Sequence, residues 1–297
     1  MDLKNCTLCP RSCGVDRTVG KKGICGMSDT VMLARAALHM WEEPVISGST
    51  GSGTVFFSGC ALKCVYCQNK PVSRGSVGKA VTVDRLCEIY FELKAKGAAN
   101  INLVTPDHYI PQVADSLRLA KSRGLGIPVV YNTSSYVNAE SLTALEGLAD
   151  IYLPDMKYMD SCIAKKYSLA PDYPETAKKS IDTMIKQAGK PVFDGNGMMM
   201  AGVIVRHLVL PGNVLNSKKV LRYLHDTYGD SIYISIMSQY TPCTNLEKFP
   251  EINRRVTIAE YNRVVDYAYE IGIKNAFVQE GEAASESFIP AFDCEGV

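Results

Sequence analysis

Cys60, Cys64 and Cys67 stand in the run Phe57-Ser58-Gly59-Cys60-Ala61-Leu62-Lys63-Cys64-Val65-Tyr66-Cys67-Gln68-Asn69, a C-x3-C-x2-C spacing. Three thiolates on one tight loop reach three corners of a cubane iron–sulfur cluster. Such a cluster normally takes four cysteines, so a loop offering three leaves one iron open to another ligand. The competing readings are a zinc site or chance clustering, but zinc prefers paired C-x2-C units with a distant second pair. Thr54-Val55-Phe56-Phe57, just before the loop, is apolar, β-branched and aromatic and reads as a buried strand. The cysteines therefore follow the C-terminal end of a first strand, where barrel enzymes place their chemistry.

A second set, Cys6, Cys9, Cys13 and Cys25, lies near the N-terminus, interleaved with Gly14, Gly20, Gly23 and Gly26, which let the backbone turn sharply. Four thiolates complete a coordination sphere for structural zinc or for a second cluster, and the sequence does not choose between them.

The elements that must position these residues alternate along the chain. Its 297 residues, 46% apolar and 21% charged, are enough for one large α/β barrel or two ordinary domains. A net charge of +1 leaves no electrostatic footprint for nucleic acid or an anionic membrane. The opening Met1-Asp2-Leu3-Lys4-Asn5-Cys6 lacks the apolar segment of a secretory leader, and no apolar run is long enough to span a bilayer. Eleven cysteines without such a leader point to metal ligation in a reducing cytoplasm rather than a disulfide framework.

Buried strands are expected at 54–57, 100–104, 127–131, 150–154, 202–210 and 231–237, with a short last one at 276–279. Helical patterns fall between them, at 83–96, 113–123, 139–148, 162–188, 220–228 and 258–271. Six βα repeats imply a partial (β/α)6 TIM-like barrel, with an open flavodoxin-like sheet as the alternative. The expected organisation is a Cys-rich metal-binding extension over 1–30, a connector over 31–53 that holds one strand at 31–38, the barrel over 54–280 and a tail over 281–297.

Polar residues gather after nearly every strand: Thr105, Asp107 and His108 after the second, Asn132, Ser134 and Ser135 after the third, Asp155 and Lys157 after the fourth, Gln239 and Tyr240 after the sixth. In a barrel all of these face one mouth. Arg206 and His207 lie inside the fifth strand and point to opposite faces, so at most one enters the lumen. Cys243 sits at the sixth strand end, where a packed thiol is the commoner outcome than a substrate contact. Cys87 reads as core, and His39 as a packed or hydrogen-bonded histidine.

The three-cysteine loop, with Tyr66 before its last cysteine, resembles the radical S-adenosylmethionine (SAM) superfamily. The order of the motifs is similar to the glycyl-radical-enzyme activating enzymes of the pyruvate formate-lyase group. The matching pieces are Asp155-x-Lys157 after the fourth strand and Arg206-His207-x-x-x-Pro211-Gly212 in the fifth. The N-terminal Cys-x-Leu-Cys-Pro-Arg-x-Cys-Gly is similar to a subgroup related to that enzyme. The resemblance implies a [4Fe–4S] cluster on Cys60, Cys64 and Cys67 that binds and reductively cleaves SAM. It also implies SAM contacts from Asp155 and Lys157, Tyr66 beside the adenine, and Asn132 and Ser134 near the methionine or ribose end. Thr105-Pro106-Asp107 replaces the Gly-Gly-Glu that holds the SAM amino group in that family, and Asp107 is the expected substitute. Thr105, Arg206 and His207 complete the expected cofactor contacts.

The implied activity is hydrogen abstraction by a 5'-deoxyadenosyl radical, from a glycine of a partner glycyl radical enzyme, with flavodoxin or ferredoxin as electron donor. A radical SAM enzyme acting on a small molecule or peptide is the alternative. A non-enzymatic metal or redox-sensing protein is the reading outside that class.

Overall fold

Seven strands run parallel and lie side by side in the order in which the chain makes them. The structure, a computed structural model, describes residues 2–242, 246–279 and 290–297. The parallel strands are β2 (Ser52–Phe57), β4 (Ile101–Val104), β5 (Val129–Thr133), β6 (Ile151–Pro154), β8 (Met199–Leu208), β9 (Tyr233–Met237) and β10 (Ala276–Val278). β1 (Val31–His39) pairs antiparallel with β2, β3 (Lys79–Val81) antiparallel with β1, and the short β7 (Val192–Phe193) with β8. In the order β10-β9-β8-β6-β5-β4-β2-β1-β3 the seven parallel strands never double back, which excludes the flavodoxin-like alternative. The sheet is a parallel-rich, unclosed barrel.

Six helices cover the outer face: Val83–Ala95, Ile110–Ser122, Ser161–Ser168, Tyr173–Ala188, Val214–Tyr228 and Ile258–Glu270. The break expected in the long helical stretch falls between Ser168 and Tyr173, at Pro171 and ahead of Pro174. The pattern expected at 139–148 yields only a short helix, Ala139–Leu142, and a 3-10 turn. With both faces covered, β2 and β6 are buried along their whole length. The main core lies between sheet and helices and includes Cys87. A second cluster of Ile46, Val130, Ile151, Leu153, Met199 and Ile204 fills the lumen, with Ile46 supplied by the short helix Pro44–Ser47.

Within the stretch read as a connector, the expected strand is β1, paired with β2 in the sheet, and Ile46 of the short helix packs into the second cluster. The C-terminal residues return to β1, where the Cys294 N–H donates to the Ala34 carbonyl and the Ala36 N–H to the Glu295 carbonyl. Arg35 pairs with Asp293 and Glu295, and Phe292 packs edge-on to Phe56. Cys243 lies outside the described residues. Among the described residues no helix is long and apolar enough to cross a membrane.

Candidate active site

A cavity of about 670 Å³ opens where the parallel strands end, a volume in the ordinary range for a small-molecule site. Cys60, Cys64 and Cys67 line it from the loop after β2, and Asp155 and Lys157 line it from the end of β6. Tyr66, Thr105, Asn132, Ser134 and Arg206 line it as well. The fold therefore brings together seven of the nine residues expected to hold a cofactor with all three expected cluster ligands.

The cysteine loop is held by backbone bonds from several directions. Gly59 N–H donates to Val72 O at 2.8 Å and Val65 N–H to Tyr167 O at 2.8 Å. Gly59 adopts φ +91°, and a Cβ there would stand 2.4 Å from Met27 Cγ, so the turn into Cys60 needs glycine. The Ser168 hydroxyl lies 3.0 Å from Cys64 Sγ. None of the three cysteines is in a disulfide. Burial pushes the Cys60 thiol well above its usual range, and Cys64 and Cys67 beside it add to the shift. Burial also raises Cys64, against the pull of the Lys157 ammonium. Left unligated, such sulfurs stay protonated; a metal centre would displace those protons. Three soft donors on one wall of a ligand-sized cavity fit a cluster with one iron left open.

At the end of β6, Lys157 Nζ donates to Asp155 Oδ2 at 2.5 Å. Burial opposes the lysine's charge, but Asp155 and then Cys64 hold its pKa above the usual range. Tyr66 shares a 2.6 Å hydrogen bond with Tyr158. Thr105 stands in the left-handed region at φ +58°, and its N–H donates to Asn132 O at 2.8 Å.

Two expected residues are not on the cavity wall. Asp107 starts a 3-10 turn that carries its carboxylate inward, where Tyr131 Oη donates to Oδ1 at 2.9 Å. Burial raises its pKa from 3.8 to about 6, tempered by hydrogen bonds from Thr133 and Tyr131. His207 points away from the lumen: Nδ1 bonds Met156 O at 2.7 Å and Nε2 bonds Ser217 Oγ at 2.8 Å. In this structure both side chains are thus taken up by hydrogen bonds within the protein rather than presented to the cavity. Arg206 is the member of the Arg-His pair that faces the cavity.

Arg206 shows what the sequence did not signal. Its Nε donates to Glu43 Oε1 at 2.8 Å and Nη2 to Glu43 Oε2 at 2.5 Å, and it also pairs with Glu42. Asn102 Nδ2 donates to the other Glu42 oxygen at 2.7 Å. Glu42 and Glu43 line the cavity too. Two adjacent carboxylates between an apolar strand and Pro44 were the available cue.

Comparison with known proteins is consistent with this architecture. The 4Fe-4S single cluster domain family matches residues 46–151. An uncharacterized protein of Methanocaldococcus jannaschii is 28% identical over 275 residues, covering 90% of this chain and 75% of that protein. The pyruvate formate-lyase-activating enzyme of Clostridium pasteurianum is 26% identical over 201 residues, covering 63% of this chain and 74% of that enzyme. Among solved structures, Streptococcus suis SuiB bound to its precursor peptide SuiA superposes with a TM-score of 0.52 at 13% identity. That match covers 75% of this chain but only 47% of SuiB, and it speaks to the fold alone. The three-cysteine loop at the end of β2 thus falls within the stretch that matches the 4Fe-4S single cluster domain family, in a chain similar to a pyruvate formate-lyase-activating enzyme.

Proposed function

We propose that the chain holds a [4Fe–4S] cluster on Cys60, Cys64 and Cys67 and binds SAM in the cavity beside it, and that its substrate is a glycine of a partner protein. The observation that carries this is one ligand-sized cavity lined both by the three thiols and by the part-buried, ion-paired Asp155 and Lys157. When bound, the cluster and SAM supply a one-electron reductive cleavage that yields a 5'-deoxyadenosyl radical and methionine.

The chain's own residues bind, orient and shield. Asp155 and Lys157 offer a carboxylate and an ammonium fixed against each other, which suit the polar groups of SAM's ribose and methionine. Asn132 and Ser134 supply amide and hydroxyl partners on the neighbouring strand end. Tyr66, on the cysteine loop and lining the cavity, would be the residue beside the adenine. Phe56, Phe57 and Leu208 give the cavity an apolar lining that keeps water from a reactive radical. The glycine substrate and the need for a flavodoxin- or ferredoxin-like donor are supported by the likeness to the activating enzyme of C. pasteurianum.

The test is electron paramagnetic resonance of anaerobically purified, dithionite-reduced protein with and without SAM, with 5'-deoxyadenosine assayed alongside. A reduced-cluster signal that changes on adding SAM, together with deoxyadenosine, is the expected result. A signal indifferent to SAM returns the protein to the redox or structural class.

A further inference from the structure

The first thirty residues are fastened to the loop of Cys60, Cys64 and Cys67. The Cys60 N–H donates to the Cys25 carbonyl at 3.3 Å. Arg11, between Cys9 and Cys13, donates from Nε to Ala61 O at 3.1 Å and from Nη1 to Leu169 O at 2.6 Å. Arg17 is fully buried; its Nη1 donates to His108 O at 2.6 Å and stands 3.8 Å from Cys6 Sγ.

Within this segment the four thiols are gathered at one corner. A single Cβ added to Gly23 would lie 3.1 Å from Cys13 Sγ and 3.5 Å from Cys25 Sγ. Cys9 lies near enough to feel the charges of Cys25, Cys6 and Cys13. Turns bring them there: Ser12 N–H donates to Cys9 O at 3.0 Å and Gly14 N–H to Cys6 O at 3.1 Å. All four are free of disulfides. A piece this short builds no core of its own, and such pieces are ordinarily held by disulfides, metals or a neighbour.

We propose that Cys6, Cys9, Cys13 and Cys25 hold a tetrathiolate metal centre that braces the loop of Cys60, Cys64 and Cys67. Four thiolates leave no coordination position open, so this centre is structural or electron-carrying and not a SAM site. Among the described residues no three Cys, His, Asp or Glu side chains stand close enough to chelate one ion. A zinc ion therefore requires the thiols to turn inward about χ1, whereas a polynuclear iron–sulfur centre takes them at wider spacing. The buried Arg17 guanidinium beside Cys6 offsets part of the negative charge of either centre. The bracing half of the proposal rests on the Cys60 loop being a cluster site.

The experiment is metal analysis of three anaerobically purified full-length variants, paired with hydrogen exchange of peptides spanning 60–66. C60A/C64A/C67A should retain bound metal, zinc or iron with sulfide, in stoichiometric amount. C9S/C13S should lose that metal while circular dichroism remains folded, and exchange over 60–66 should accelerate. R11A should keep both metals yet also show faster exchange there, because it removes the tie and not a ligand. A folded C60A/C64A/C67A protein without metal overturns the proposal, as does a C9S/C13S protein with undiminished metal or unchanged exchange. Failure of the SAM reading is separate: it leaves the metal content of C60A/C64A/C67A as it is.

Discussion

Tyr66 and Tyr158 share a 2.6 Å hydrogen bond, and it is the first link of a relay into the cysteine loop. Tyr158 Oη lies 2.8 Å from Ser168 Oγ, which in turn lies 3.0 Å from Cys64 Sγ. The tyrosine beside the proposed adenine position is thus joined to a proposed cluster sulfur through two buried hydroxyls. Hydrogen bonds to cluster sulfurs stabilise the more negative, reduced state and raise the potential. Ser168→Ala should therefore lower the cluster midpoint potential in an electron paramagnetic resonance redox titration, and cost about 1 kcal/mol of stability. An unchanged potential would mean that the hydroxyl serves packing alone.

Replacing Cys60, Cys64 or Cys67 singly by Ala should remove the visible absorption of the cluster and bring SAM-dependent deoxyadenosine to the no-enzyme background. The readouts are absorption of the reconstituted protein and chromatographic product assay. Undiminished product from any one of these variants would refute the ligand assignment.

Asp107 makes stability depend on pH in an unusual sense. Its folded pKa of about 6 lies above its ordinary 3.8, so the folded state binds the extra proton between those values. Its stabilising contribution is complete below pH 3.8 and is lost as pH rises through 6. At pH 8 the buried carboxylate costs up to roughly 3 kcal/mol. Asp107→Asn should raise the denaturation midpoint at pH 8 and leave it little changed at pH 4. His207 acts in the opposite direction: burial lowers its pKa from 6.5 to about 4, so its contribution is present above pH 6.5 and lost as pH falls towards 4. An Asp107→Asn protein less stable at pH 8 would show that the carboxylate is needed in its charged form.

Arg206, its side chain 11% exposed, is paired with both Glu42 and Glu43. Removing one partner of a buried ionic group leaves uncompensated charge and costs about 3–5 kcal/mol. Arg206→Met should lose stability on that scale in urea, and the triple change with Glu42→Gln and Glu43→Gln should recover much of it. Equal losses in the two proteins would mean that the arginine's packing, not its charge, matters.

Thr105 is a β-branched residue at φ +58°, a conformation that costs about 1–3 kcal/mol. Thr105→Gly should raise the thermal midpoint. If the strain serves the cavity wall, SAM affinity, measured by equilibrium dialysis, should fall in the same variant.

The parts of this architecture set by local pattern were legible in the sequence. Apolar runs followed by polar residues located the strands and the face at which they end, and alternation along β8 put Arg206 and His207 on opposite sides. The contacts that complete the cavity were not legible, because they join residues far apart in the chain. Glu43 meets Arg206 across 163 positions and Cys64 meets Ser168 across 104. The surroundings of Asp107 were not legible either: it opens a 3-10 turn after Pro106, and its carboxylate accepts from Tyr131, 24 positions away.

The return of the chain's last residues to β1 bears on how copies of the protein meet one another. β3 covers β1 only at Val31–Leu33, which leaves the hydrogen-bonding edge at Ala34 and Ala36 to be satisfied otherwise. An open edge of this kind is a template for pairing between molecules. Cys294 and Glu295 occupy it, and Gly296 at φ +74° passes so close that any Cβ would strike the Ala36 carbonyl. The sheet is thereby denied to a second copy along that stretch by a segment of its own chain, held in place by the Arg35 pairs with Asp293 and Glu295.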